Sequence, residues 1–161
     1  MKQISEKELL QNAITDAEKK QSEIEKDSQR LKLHLMPPVG WMNDPNGFVY
    51  FRGEYHLFYQ FYPYDSVWGP MHWGHAKSKD LLHWEELPVA LAPSESYDKD
   101  GCFSGSAIVK DDKLYLLYTG HVDDEEQREE TQCLAVSTDG ITFEKLPTNQ
   151  VIHAQTIAGI A

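Results

Sequence analysis

Between residues 5 and 31 the apolar positions recur at helical spacing. Leu10, Ile14, Ala17, Ile24 and Leu31 fall on one stripe, which the polar Gln21 and Ser28 interrupt. Ser5 with Glu8 forms a capping-box pattern at its start. The spacing predicts a helix over residues 5–31, and so thin a stripe predicts a surface helix docked on something larger. Pro37-Pro38 ends the helical pattern. Aromatic and β-branched runs separated by polar turns follow it. The chain therefore divides into a helical extension, residues 1–36, and an all-β part, residues 37–161.

The all-β part repeats itself. "NGFVYFRGEYHLFYQ" (46–60) and "GSAIVKDDKLYLLYT" (105–119) share one pattern: apolar run, polar turn, apolar run. Each is a predicted β-hairpin, and Tyr59 aligns with Tyr118, 59 residues on. "HAKSKDLLHWEELP" (75–88) and "LAVSTDGITFEKLP" (134–147) align at the same 59-residue offset. This alignment pairs Ser78 with Ser137, Asp80 with Asp139, and Trp84 with Phe143. A repeat of this length carrying two hairpins is the signature of a β-propeller blade. Two similar hairpins in a sandwich are the plainer alternative, but both copies carry the same S-x-D-x-x-x-[WF]-E-x-L-P punctuation. The predicted blades span about residues 41–98 and 100–157. A propeller takes about 4–8 blades, so the expected fold is an incomplete propeller of about two blades with an N-terminal helical extension. Its open blade edges make self-association an expectation.

Composition narrows the partners. The 161 residues carry a formal net charge of −11 and are 40% hydrophobic. Residues 1–35 hold seven basic and seven acidic side chains, so the whole acidic excess lies downstream. No nucleic acid and no membrane surface is expected as a partner of so acidic a chain. Cys102 and Cys133 have no metal-type spacing and read as reduced thiols. The first twenty residues have no apolar signal-type core and no run reaches membrane-spanning length, so a cytoplasmic protein is expected. His72 and His75 could suggest a metal pair. They lie in the strand-like "MHWGHA", where positions three apart face opposite sides, so neither a metal nor a cofactor is expected. The acidic run "DDEEQREE" (123–130) reads as a solvated loop, with a cation site as the alternative.

The candidate chemistry begins at "WMNDPNG" (41–47). Asp-Pro-Asn-Gly is a good turn sequence with no function required of it. The flanking Trp41 and Asn43 change that reading. A turn needs neither an aromatic nor an amide beside its acid, whereas a sugar pocket uses aromatic faces against C–H surfaces and polar groups against hydroxyls. The 59-residue offset aligns Asp44 with Phe103 and Pro45 with Ser104. Two blades thus deliver "WMND" and "CFSG" to one channel mouth.

"WMNDPNG", "FYQFYP", "WGPMHWGHAKSKDLLHWEELPVAL" and "CFSGSA", in this order, resemble glycoside hydrolase family 32 over about residues 34–153. That family comprises the invertases, sucrose-6-phosphate hydrolases and related β-fructofuranosidases. The resemblance implies a five-bladed propeller followed by a β-sandwich, and hydrolysis of the fructosyl bond of sucrose or sucrose 6-phosphate with retention. It implies that Asp44 is the nucleophile, that Trp41, Met42 and Asn43 line the fructosyl site, that Gln60 binds a hydroxyl, that Trp68 forms a wall, and that Phe103 and Ser104 approach from the second blade. From the residues alone, Gln60 could equally be a strand-end polar group, and Trp68 and Phe103 core aromatics.

The family's R-D-P motif, with its transition-state aspartate, and its E-C motif, with the acid/base glutamate, do not occur in the chain. Asp65, Asp98 and Asp100 sit in predicted loops without motif support for either role. The chain is therefore expected to be inactive alone. Three readings stay open: a β-fructofuranosidase fragment, a non-catalytic fructosyl-binding remnant, and a structural module completed by another chain.

Overall fold

The computed structural model describes residues 6–24, 26, 29–31, 34–124 and 127–152. Helix α1 spans Glu6–Ile24. It stops short of the expected residue 31, and the sequence shows why. Residues 25–30 are all polar and offer no apolar side chain to the body. Arg30 instead donates to the carbonyls of Met36 and Pro37, fixing the turn that follows. Ala13 is fully buried, and Ile24 packs with Leu35 against the Val39, Tyr59 and Phe61 cluster. The Lys20 ammonium donates to the Tyr64 carbonyl at 3.0 Å, tying the helix to the first sheet. The proposed capping residue Ser5 and the predicted blade end at 157 lie outside the described residues.

Among the described residues, eight strands form two four-stranded antiparallel meanders. Blade 1 holds β1 (Trp41–Phe51), β2 (Glu54–Tyr62), β3 (His72–Ser78) and β4 (Trp84–Leu91). Blade 2 holds β5 (Gly101–Lys110), β6 (Lys113–Asp124), β7 (Gln127–Ser137) and β8 (Glu144–Ile152). On the side of the bulges away from the interblade cleft, the repeat is obeyed to the residue. Phe51 faces Glu54 as Lys110 faces Lys113. Tyr55 faces Ser78 as Leu114 faces Ser137. Ala76 faces Glu86 as Ala135 faces Lys145.

The shared punctuation has a physical job. Ser78 Oγ accepts from the amides of Asp80 and Leu81, and Asp80 Oδ1 from those of Leu82 and His83. Ser137 and Asp139 do the same for residues 139–142. Two small polar side chains thereby satisfy the backbone donors of each turn, which have no ladder partner.

The two blades pack face to face around one core. Phe51, Phe58, Trp73 and Leu91 of blade 1 meet Leu114, Leu116, Tyr118, Ala135 and Phe143 of blade 2. Phe143 stands edge-on to Phe58, with ring centroids 5.5 Å apart. Polar ties reinforce the seam. Cys102 N–H donates to Met71 O at 2.8 Å, and Arg52 pairs with Asp112. Lys145 reaches from β8 to Asp98 in the segment joining the blades, 2.7 Å away, with both side chains buried.

Two expectations fail in detail. "WMNDPNG" is not a turn ahead of a strand; it lies inside β1, which slips register between Met42 and Pro45 and again between Asn46 and Val49. Pro45 has no N–H to give the ladder, and Gly47 takes φ +58°. Both favour bulges over regular pairing. A Cβ on Gly47 would come within 2.8 Å of the Phe58 ring, so the position also lacks room for a side chain. The acidic run is not a loop either. β6 and β7 stay paired outward through Asp123 opposite Arg128 to Asp124 opposite Gln127.

Candidate active site

The first bulge of β1 turns Asn43 and Asp44 out of the ladder at the end of blade 1. The Asp44 carboxylate accepts from Ser104 Oγ at 3.0 Å across the blade boundary. Ser104 itself sits in the single bulge of β5, between Phe103 and Ser106. Two ladder defects, one per blade, thus bring a carboxylate and a hydroxyl together. Trp41 Nε1 donates to Asn43 Oδ1 at 2.9 Å and so orients the amide from behind.

Asn43, Asp44, Gln60, Trp68, Phe103 and Ser104 line one open cleft of about 520 Å³. Six of the eight residues singled out from sequence therefore converge. Trp41 and Met42 do not line it, and Met42 packs into the Val39, Tyr59 and Phe61 cluster. Gln60 is buried, and its Nε2 donates to the Cys102 carbonyl at 2.9 Å. Half of that amide is thus committed to the blade seam. Trp68 is 55% exposed and stands edge-on to Phe103, with centroids 6.2 Å apart. An aromatic corner exposed to solvent suits the apolar face of a sugar ring.

Sequence reasoning missed the blade 2 wall. Thr119, His121, Asp123, Arg128 and Glu130 also line the cleft, carried there by the outward extension of β6 and β7. The signal was the 59-residue alignment of 123–130 with the segment holding Trp68. His121 stacks on Phe103 with centroids 4.0 Å apart, so it supports the aromatic corner from below. Burial pushes its pKa below the usual imidazole range and nearby Arg128 pushes the same way, against Glu130, Asp123 and Asp100. Asp65, Asp98 and Asp100 do not line the cleft. Asp98 is fully buried, holding Tyr118, Lys145 and two backbone amides. Among the described residues no group of His, Cys, Asp and Glu is arranged to hold a metal.

The model of the glycosyl hydrolases family 32 N-terminal domain matches residues 34–159. The chain belongs to glycosyl hydrolase family 32. Its two meanders are accordingly blades of that family's propeller. A sucrose-6-phosphate hydrolase of Zymomonas mobilis is 58% identical over 132 residues, which are 75% of this chain and 26% of that protein. A raffinose invertase of Escherichia coli is 58% identical over 118 residues, covering 70% of this chain and 25% of its own length. The family 32 β-fructofuranosidase BmSUC1 of Bombyx mori, as a mutant in complex with sucrose, superposes with a TM-score of 0.82 at 49% identity. That match covers 91% of this chain and 31% of the silkworm chain. The chain thus spans about a quarter of the length of the curated family 32 relatives it matches.

Proposed function

We propose that this chain carries the nucleophile and the fructosyl walls of a retaining β-fructofuranosidase, acting on sucrose or its 6-phosphate. The observation that carries this reading is the Asp44 carboxylate, set against Ser104 at the mouth of a cleft walled by Trp68 and Phe103. Asp44 would attack the anomeric carbon of the fructosyl unit to form a glycosyl–enzyme ester, which water then hydrolyses. Ser104 would hold the carboxylate in line while Asn43 and Gln60 engage hydroxyls. The names of the relatives support a sugar substrate but divide between phosphorylated and neutral sugars. Two buried free cysteines, Cys102 and Cys133, support a reducing, cytoplasmic setting. The domain boundaries at residues 36/37 and 98/100, and self-association through open blade edges, belong to the same reading.

Retaining hydrolysis also needs a second carboxyl group as acid and then base, help typically worth about 10²–10⁴-fold. No residue here carries the motif for that role. The chain by itself is therefore expected to bind fructose without turning over sucrose. Two measurements test this: saturation-transfer NMR with fructose, and reducing-sugar release from sucrose against Asp44→Ala. Fructose signals that vanish in Trp68→Ala, with no release above the Asp44→Ala control, support the reading. Turnover well above that control would reveal an acid in the described cleft and overturn it.

A further inference from the structure

The blade 2 wall has a role of its own. His121 is 3% exposed at its side chain, and Nδ1 has no hydrogen-bond partner among the described residues. Glu130 Oε1 lies 3.6 Å from it, beyond hydrogen-bond range. A buried nitrogen left without a partner costs free energy, and such a group needs a reason. Arg128 Nη2 lies 3.1 Å from the same Glu130 oxygen and faces Asp123 across the ladder. The hairpin is anchored at its base. Asp123 N–H donates to Asp100 Oδ2 at 2.8 Å, and Lys99 lies 3.8 Å from Asp124.

We propose that His121, Arg128 and Glu130 form the site that reads hydroxyl groups of the sugar bonded to the fructosyl unit. This rests on the fructosyl-site reading above and extends it to the second ring. Phe103 is the shared wall: it meets Trp68 on one side and His121 on the other. A ring held by the aromatic corner therefore places its glycosidic partner beside the hairpin. Glu130, 46% exposed, can turn to admit one hydroxyl oxygen between its carboxylate and His121 Nδ1. That hydroxyl would donate to Glu130 and accept from Nδ1–H, while the guanidinium donates to a neighbouring hydroxyl. The charges favour a neutral group over a phosphate at this point. Arg128 is already paired with Glu130, and the Asp123 carboxyl lines the same cleft, so no net positive charge is left over to hold a dianion.

Binding of fructose, sucrose and sucrose 6-phosphate to the chain, its Arg128→Gln and Glu130→Gln variants and His121→Phe tests this. The first two positions are exposed, and phenylalanine at 121 keeps the stack on Phe103 while removing the nitrogens; near-ultraviolet circular dichroism checks the fold of each. Arg128→Gln and Glu130→Gln are each expected to weaken sucrose about tenfold, through loss of a hydrogen bond to a charged group, and His121→Phe about threefold, through loss of a neutral one, while fructose affinity stays within about twofold. Arg128→Gln should weaken sucrose and sucrose 6-phosphate alike. A loss confined to the phosphorylated sugar would overturn the hydroxyl assignment. Fructose binding with an unchanged preference for sucrose, or equal losses for fructose and sucrose, would overturn the site itself. Absence of fructose binding to the unmodified chain would defeat the fructosyl-site reading, and this one with it.

Discussion

Blades 1 and 2 share one register at the ends of their ladders away from the cleft, yet their pairing diverges toward it. β1 slips register twice, and β5 once. The connection from β2 to β3 is irregular and carries Trp68, whereas β6 and β7 continue as a paired hairpin bearing Asp123, Arg128 and Glu130. The turns at the far end, Ser78–Asp80 and Ser137–Asp139, are built alike to within 0.4 Å in the serine–aspartate contact. Each blade thus has a structural end, where the repeat is strict, and a chemical end, where it is broken. Breaking a ladder frees backbone and side chains for a ligand, and it is tolerable only because the other end holds register.

A second difference lies on the outer strands. Glu86 and Lys145 occupy equivalent positions, each near the equivalent tyrosine. In blade 1, Tyr59 OH donates to Glu86 at 2.8 Å. In blade 2, Tyr118 and Lys145 both converge on Asp98. The blade 2 version is a buried ion pair that fastens the inter-blade segment, and the blade 1 version is partly buried beneath the helix. Lys145→Ala would leave Asp98 charged in the core, and breaking one side of a buried pair costs about 3–5 kcal/mol. Glu86→Ala should cost under about 1.5 kcal/mol, the range of one hydrogen bond. Urea unfolding of both variants measures the contrast. Equal losses would mean that the two positions are energetically alike.

A smaller effect comes from histidines at the seam. His56 Nδ1 lies 2.9 Å from His75 Nε2, and His75 stacks on Phe58 at 4.1 Å and meets the Phe143 edge. Blade 2 has no counterpart of this pair: the equivalent positions hold Tyr115 and Leu134. Burial, the largest cause, lowers the pKa of both imidazoles, and the positive charge of Lys77 adds to it. The unfolded chain therefore takes up protons below about pH 6.5 that the folded pair refuses. Stability from this pair is present above about pH 6.5 and falls as the solution is acidified, by up to about 1.4 kcal/mol per pH unit for each proton. Glu86, which desolvation raises to about 7, titrates over the same window with the opposite sign. It does so equally in wild type and in His75→Phe, so their difference isolates the pair. The urea midpoint of His75→Phe should fall less between pH 7 and pH 5. Parallel decline would remove the pair from the acid response.

The contrast between the two ends also explains what the sequence disclosed. The strict ends were legible: Ser-x-Asp, Trp84 with Phe143 and the paired hairpins placed two four-stranded blades without help. The site was legible where a motif named it, hence Asp44, Trp68, Phe103 and Ser104. Met42 could not be placed, because which face a residue takes depends on a bulge, and one slip of register turns it from cleft to core. The hairpin was missed for a related reason. Its charges looked like solvent-facing loop residues, and only pairing Asp123 with Arg128 across a ladder lifts them to the cleft rim. The helix was overextended because periodicity bridged a run of six polar residues, 25–30, to reach Leu31.

The smallest expected effect tests the strict ends themselves. Leu81 and Gly140 are equivalent residues of the two far turns, and both have positive φ, +65° and +78°. The serine–aspartate bonding is the same around each, so the turn demands a left-handed residue whatever the side chain. For leucine that conformation costs about 1–2 kcal/mol. Its side chain is 45% exposed, so little burial offsets the strain. Leu81→Gly should stabilise the chain by about 0.5–1 kcal/mol, the relief being reduced by the greater freedom of glycine in the unfolded state. Gly140→Ala should do the reverse and more. It adds the same left-handed strain, and its Cβ would lie 2.9 Å from the Phe51 ring in the seam between the blades. Thermal unfolding of both variants reads the outcome. Should Leu81→Gly prove destabilising, the exposed leucine must be packing against something that the positive φ serves, and the two turns would not be equivalent after all.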